Sequence, residues 1–302
     1  MHIGKWQGAH VAVKRMMAQG LLVTDSDSDV SSATTAEELF TPKQEREEAR
    51  LAKEFQREVE ILAQLRHPSI VLFLGACPCP PDIALVMEFV PRGSLDQLLH
   101  ASTIPLDLRR RCKMAMHVAR GMAYLHSQGI IHRDLKAGNL LVGASFEIKV
   151  CDFGLSKMRN HASMTQSQNS VGTPVYAAPE VLKGEKFSEK CDVWSFGVVL
   201  HELMTRTRPY AWLETPIQVM AGVALGKVRL GNLAETGEGD GGDVSAGIAA
   251  LQERCCAWDA EERPGFGEIL DVLEHEYNQL ATLAREGGSS RSLAASSRSL
   301  VG

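Results

Sequence analysis

The sequence predicts an α+β protein in two parts, a small β-rich part with one long helix followed by a larger, mainly helical part. Three observations predict it. Short alternating apolar runs fill the chain before about residue 90, one long capped helix interrupts them, and after Pro105 the apolar residues recur at helical spacing. At 302 residues, 44% hydrophobic and 23% charged, the chain can bury cores of that size. A formal net charge of -5 with scattered Lys and Arg argues against nucleic acid as a partner.

Taken in order, WQGAHVAVKRM alternates about Val11 and Val13 after a Gln7-Gly8 turn and reads as the second arm of a hairpin whose first arm is nearly missing. Residues 24–38 are acidic and Ser/Thr-rich, the composition of a solvated insertion. Thr41, Pro42 and Gln44 supply an N-cap, a first-turn proline and a capping-box partner for a helix running to about Leu65. On that helix Leu51, Phe55, Leu62 and Leu65 form one apolar stripe with Glu58 near its middle. A buried carboxylate needs a partner, and Lys14, on the same strand face as Ala12, can supply it. On these two residues alone, a snorkelling Glu beside an ordinary surface lysine reads equally well.

HPSIVLFLGA and DIALVMEFV read as strands separated by a Cys-Pro-Cys-Pro-Pro turn. Helices are expected over Leu106–His126, Cys191–Met204, Thr215–Leu225, Ala246–Trp258 and Phe266–Leu283. LLVGASFEIKV, between the first two, reads as two short strands about a Gly-Ala-Ser turn. The GEGDGGD run reads as a mobile loop, and residues 284–302, which repeat SSRSL, as a disordered tail.

Seven cysteines, odd in number and without a CxxC pair, indicate reduced thiols; with no apolar leader and no membrane-length apolar run, a soluble cytosolic or nuclear protein is expected. Asp25, Asp27 and Asp29 imitate a calcium loop, but Val30 replaces the required Gly and Ala36 the bidentate acid. Cys77 and Cys79 lack the partners and spacing of a zinc site. Cys151 reads as a small buried residue in preference to a reactive thiol.

Three motifs follow in order: His132-Arg133-Asp134-Leu135-Lys136-Ala137-Gly138-Asn139, then Asp152-Phe153-Gly154, then Ala178-Pro179-Glu180. With the VAVK strand and the helix glutamate ahead of them, residues 5 to 283 resemble the protein kinase superfamily. WQGAHVAVK, PRGSL and CCAWDAEERP bring the chain nearest its tyrosine-kinase-like group of serine/threonine kinases, the Raf-like and mixed-lineage-like members. The resemblance implies a two-lobed kinase-like fold, with a small lobe of about 1–89 and a large lobe of about 90–283. ATP with Mg²⁺ would bind between the lobes, and protein Ser/Thr hydroxyls would be the acceptors.

It also implies roles. Asp134 would accept the proton of the substrate hydroxyl, and Lys136 would meet the γ-phosphoryl group. Asn139 and Asp152 would hold Mg²⁺ with hard oxygens. Lys14, held by Glu58, would bind the α- and β-phosphates. Met87 would back the adenine pocket, and Glu88 to Val90 would form the hinge that meets the adenine edge. Thr173, bonded to Asp134 and Lys136, agrees with serine/threonine specificity, as does Lys136 itself. Arg263 would pair with Glu180 in a structural role. A phosphorylated Thr165, Ser167 or Ser170 would pair with Arg133 and order its segment.

One departure stands out. The family's GxGxxGxV loop has no counterpart in the thirteen residues before Lys14, where only Gly4 and Gly8 occur. The expectation is the downstream piece of a longer kinase, with weakened ATP binding and an exposed strand edge, in preference to a complete pseudokinase or scaffold. A tyrosine kinase is the remaining alternative, and the sequence sets no oligomeric state.

Overall fold

The computed structural model describes residues 1–15, 42–78, 83–153, 157–158, 173–231, 233 and 244–298. The acidic stretch 24–38, Thr41 and the GEGDGGD run lie outside the described residues. The chain divides into two compact units, Met1–Arg66 with Val71–Phe89, and His67–Ile70 with Val90–Gly302.

In the first unit, β1 (His2–Trp6), β2 (Ala9–Arg15), β4 (Ala84–Glu88) and β3 (Phe73–Cys77) form an antiparallel sheet in the order β1-β2-β4-β3. The first hairpin arm is present, contrary to the expectation from sequence: five residues of β1 pair with β2, from His2 opposite Val13 to Trp6 opposite Ala9. The reason lies in the turn. Gln7 and Gly8 take φ of 48° and 83°, the left-handed pair whose twist matches a hairpin. Backbone pairing holds the arm instead of burial, since Ile3 and Trp6 stay exposed and give no alternating apolar signal. β1 lies at one end of the sheet order.

The helix α1 (Pro42–Gln64) buries Phe55, Ile61 and Leu62 on one face, with Leu65 just past its end, and Glu58 lies buried among them. Of the predicted stripe, Phe55, Leu62 and Leu65 therefore face the core, while the Leu51 side chain lies outside what is described.

The second unit holds α2 (Leu95–His100), α3 (Leu108–Ser127), β5 (Ile130–Ile131), β6 (Leu140–Val142), β7 (Ile148–Val150), β8 (Lys157–Met158), α4 (Pro179–Leu182), α5 (Lys190–Thr205), α6 (Pro216–Ala224), α7 (Ala246–Cys255) and α8 (Phe266–Arg298). Its axis is α5, buried along nearly all its length, as an all-round apolar helix must be. The sequence reading did not contain α2. Ser94 and Gln97 close a capping box at its start, and Leu95, Leu98 and Leu99 bury its inner face.

His67–Ile70 belongs with this unit although it precedes β3: the Val150 N–H donates to the Ser69 carbonyl at 2.8 Å, and the His67 ring stacks on Tyr124. Gly121 on α3 lets that strand approach, because a Cβ there would sit 2.8 Å from the Ser69 carbonyl oxygen. α8 continues to Arg298, beyond Leu283 and through the stretch read as a disordered tail. No proline interrupts it. No helix among the described residues is long and apolar enough to cross a membrane.

Candidate active site

The second unit builds its polar cluster from α5 upward. Asp192, in the first turn of α5, is fully buried, so its charge demands compensation. It finds three donors: the His132 N–H at 2.9 Å, the Arg133 N–H at 2.8 Å and His126 Nε2 at 2.8 Å. Burial pushes the Asp192 carboxyl up, but the His126 hydrogen bond, the nearby His132 and the Arg133 amide outweigh it and hold the group below the usual carboxylate value. The two backbone bonds pin Arg133 at a φ of 71°, a left-handed conformation that such a residue does not adopt unsupported.

That bend presents the next residues. Leu135, Ala137 and Leu140 are fully buried and anchor the segment, while the intervening Asp134, Lys136 and Asn139 turn to one another. Lys136 Nζ lies 2.7 Å from Asp134 Oδ2 and 2.6 Å from Thr173 Oγ1. Asn139 Nδ2 donates to the Asp134 carboxylate at 2.9 Å and to the Asp134 backbone carbonyl at 2.8 Å. The Thr173 N–H donates to Asp134 Oδ1 at 3.0 Å, and its hydroxyl lies 3.3 Å from the same oxygen. One carboxylate thus gathers a cation, an amide and a hydroxyl residue from 39 positions along the chain.

Asp152 is exposed and also left-handed, at a φ of 65°, between buried Cys151 and Phe153. The Cys151 N–H donates to the Asn139 carbonyl at 3.0 Å, His132 Nε2 donates to the Cys151 carbonyl at 3.1 Å, and the Phe153 ring packs on His132. These bonds fix Asp152 in sequence directly after a strand end tied to Asn139. Arg263 holds Glu180 with two parallel bonds of 2.7 and 2.9 Å and also donates to three backbone carbonyls, a structural clamp.

In the first unit Lys14 Nζ lies 2.8 Å from Glu58 Oε1, with Glu58 only 3% exposed. The strand alternation and the helix stripe meet in this ion pair. Ala12 stands opposite Met87, which is buried, and the Glu88 N–H donates to the Leu72 carbonyl at 2.9 Å. Val90 opens the long segment of the second unit, and its backbone N–H has no hydrogen-bond partner among the described residues. The Arg133 guanidinium lies over the Phe187 ring at 5.1 Å. Thr165, Ser167 and Ser170 lie outside the described residues.

Sequence reasoning gave Asp192 a structural role at the start of this helix but did not identify its partners, His126 and the two backbone amides. The signal was there: an acid at the head of a largely apolar helix must be buried and must be paired. One further group, Asp96, His100 and Glu202, brings three potential metal-binding atoms within 4.8 Å of one another. Its bonds are already spent, since His100 and the Tyr176 hydroxyl each lie 2.7 Å from buried Glu202, and Arg208 lies 2.9 Å from Asp96. Burial raises the Glu202 carboxyl above its ordinary value despite these bonds.

Residues 39–273 match the family model described as protein tyrosine and serine/threonine kinase. Among curated proteins, the chain is 42% identical over 273 residues to a probable serine/threonine-protein kinase SIS8 and 40% identical over 277 residues to the serine/threonine-protein kinase CTR1, both from Arabidopsis thaliana. It is 37% identical over 274 residues to the probable serine/threonine-protein kinase drkC of Dictyostelium discoideum. Each match covers 90% of this chain but only 23%, 29% and 32% of those relatives, so the chain spans about a third of their length or less.

Proposed function

The chain belongs to the protein tyrosine and serine/threonine kinase family, and from that premise we propose that it transfers the γ-phosphoryl group of ATP to serine or threonine hydroxyls of protein substrates. The observation that carries the reading is the bridge made by Lys136 between Asp134 and Thr173. Phosphoryl transfer leaves the protein little covalent work; it needs a base at the acceptor hydroxyl, a cation for the moving charge and a rigid frame for both. Asp134 is the base, Lys136 is the cation, and Thr173 and Asn139 hold the carboxylate in one orientation.

Mg²⁺ fits the donor set. Asn139 commits its Nδ2 to the Asp134 carbonyl, which leaves its amide oxygen as a hard ligand, and Asp152 adds an exposed carboxylate. Held by Asn139 and Asp152, Mg²⁺ would supply charge neutralisation to the phosphates. Lys14, oriented by Glu58, is the group for the α- and β-phosphates, and Met87, Glu88 and Val90 are the residues assigned to the adenine ring. Arg133 is the cation that a phosphoryl group on Thr165, Ser167 or Ser170 would find. All six described cysteines are free thiols, which supports a cytosolic or nuclear setting.

The test is phosphoamino-acid analysis of a generic basic protein incubated with the chain and labelled ATP, with and without EDTA. Phosphoserine or phosphothreonine that disappears with EDTA is the expected result. Label on tyrosine alone, or none at all, rejects the proposal.

A further inference from the structure

Residues 143–146 close the hairpin between β6 and β7, with the Phe146 N–H donating to the Gly143 carbonyl at 3.1 Å and the Gly143 N–H to the Glu147 carbonyl at 2.8 Å. Phe146 takes a φ of 64°, the left-handed position that Gly or Asn fills at little cost and a bulky aromatic does not. The turn itself gives no reason for a phenylalanine, so the ring must act elsewhere.

What the ring does is collect two cations. The Arg92 guanidinium carbon lies 4.4 Å from its centroid and the Arg110 guanidinium carbon 4.6 Å. Arg92 is fixed to the same hairpin, its N–H donating to the Val142 carbonyl and its Nε to the Ala144 carbonyl, both at 3.0 Å. Arg110 sits in the first turn of α3, and exposed Lys113, three residues on, shares its face. Both arginines are exposed, and neither makes an ion pair with a carboxylate among the described residues. The acids beside these residues in sequence are engaged elsewhere: Asp107 accepts the Arg110 N–H at 2.7 Å, Glu147 the Ser145 N–H at 2.9 Å and Glu88 the Leu72 N–H at 2.7 Å, and Arg208 lies 2.9 Å from Asp96. Two like charges held against one ring repel unless an anion is shared between them.

We propose that Arg92 and Arg110, carried on Phe146, form a docking site for a phosphorylated serine or threonine in a peptide segment of a partner protein. A phosphoryl dianion offers three acceptor oxygens to two planar forks, a match that a single carboxylate does not provide. The site draws on no residue of the Asp134 cluster and stands whether or not the chain transfers phosphate.

Fluorescence anisotropy with the full 302-residue chain and no ATP tests it, using a degenerate phosphoserine/phosphothreonine peptide pool, its unphosphorylated counterpart and a pool with Glu at the same position. The phosphorylated pool should bind about tenfold or more tightly than either control, with affinity falling as salt rises. Arg92→Ala and Arg110→Ala should each weaken it by about tenfold, and Arg110→Lys, which keeps the charge but not the fork, should weaken it in part. Phe146→Gly gives the sharpest result: it relieves the left-handed strain, so the melting midpoint holds or rises while binding falls. Equal binding of the three pools, wild-type affinity in both arginine variants, or tighter binding to anionic vesicles or an oligonucleotide than to the phosphopeptides would overturn the proposal.

Discussion

Replacing Asp192 with Asn tests whether the buried carboxylate holds the polar cluster in place. The His132 amide donates to Oδ2 and the Arg133 amide to Oδ1, so both oxygens are in use. Asn keeps the shape but offers one oxygen; its NH₂ then faces a backbone N–H. His126 can adjust its tautomer to the new group, but a backbone amide cannot. Losing one charge-assisted bond costs about 1.5–3 kcal/mol and stranding a buried amide about 1–3 kcal/mol, so a loss of roughly 3–5 kcal/mol is expected, a large share of a typical total of about 5–15 kcal/mol. The folded-state value of Asp192 is lowered, so its contribution is present above the unfolded carboxyl value and is lost as pH falls through the folded one. Urea unfolding followed by tryptophan fluorescence reads the loss, with buried Trp194 of α5 as a local reporter. A shift below about 1 kcal/mol with an unchanged slope would refute the anchoring argument.

Three further perturbations probe other parts of the account. Glu58→Gln keeps volume but leaves Lys14 without its 2.8 Å ion pair; the KM for ATP should rise about tenfold, equivalent to about 1.4 kcal/mol, and an unchanged KM speaks against the role of Lys14. Burial draws the His117 imidazole down to about 4, where its Nδ1 accepts the Ile148 N–H at 3.3 Å. The unfolded chain takes up that proton near 6.5, so stability is full above this pH and declines as pH falls toward 4. For a part-exposed group the loss is about 1–2 kcal/mol after solvent screening, and His117→Gln should flatten that slope in a pH series of melting midpoints. Gly121→Ala places a Cβ 2.8 Å from the Ser69 carbonyl oxygen; calorimetry should show about 1–3 kcal/mol of destabilisation, and an unchanged midpoint would mean the segment shifts freely.

Much of the fold was legible because periodicity and capping are local. The helix over residues 42–65, the five later helices and the hairpin about Gly143 all follow from such signals, and their ends lie within a few residues of the expected ones, α8 excepted. Less legible were elements without a burial pattern: β1, held by pairing alone, and α2, whose six residues are too few to show a period. The Lys14–Glu58 pair could be read because a charge on an apolar stripe is an anomaly with few remedies. Asp192 was the same anomaly, yet two of its three partners named above are backbone amides 59 and 60 positions away, which no side-chain pattern reveals. The left-handed Arg133, Phe146 and Asp152 were invisible for a related reason, since a strained φ belongs to the assembled surroundings and not to the residue type.

The most direct test of the central claim is the rate of γ-phosphoryl transfer to a protein substrate at saturating Mg²⁺ and ATP, compared between the chain and Asp134→Asn. Asn keeps one acceptor oxygen, so it loses either the Thr173 N–H bond or those from Lys136 and Asn139, and it removes the base; the rate should fall by about 10²–10⁴-fold, and the melting midpoint should fall by no more than the lost bonds account for. Equal rates in the two proteins would contradict the assignment of Asp134 and, with it, the mechanism built on the cluster.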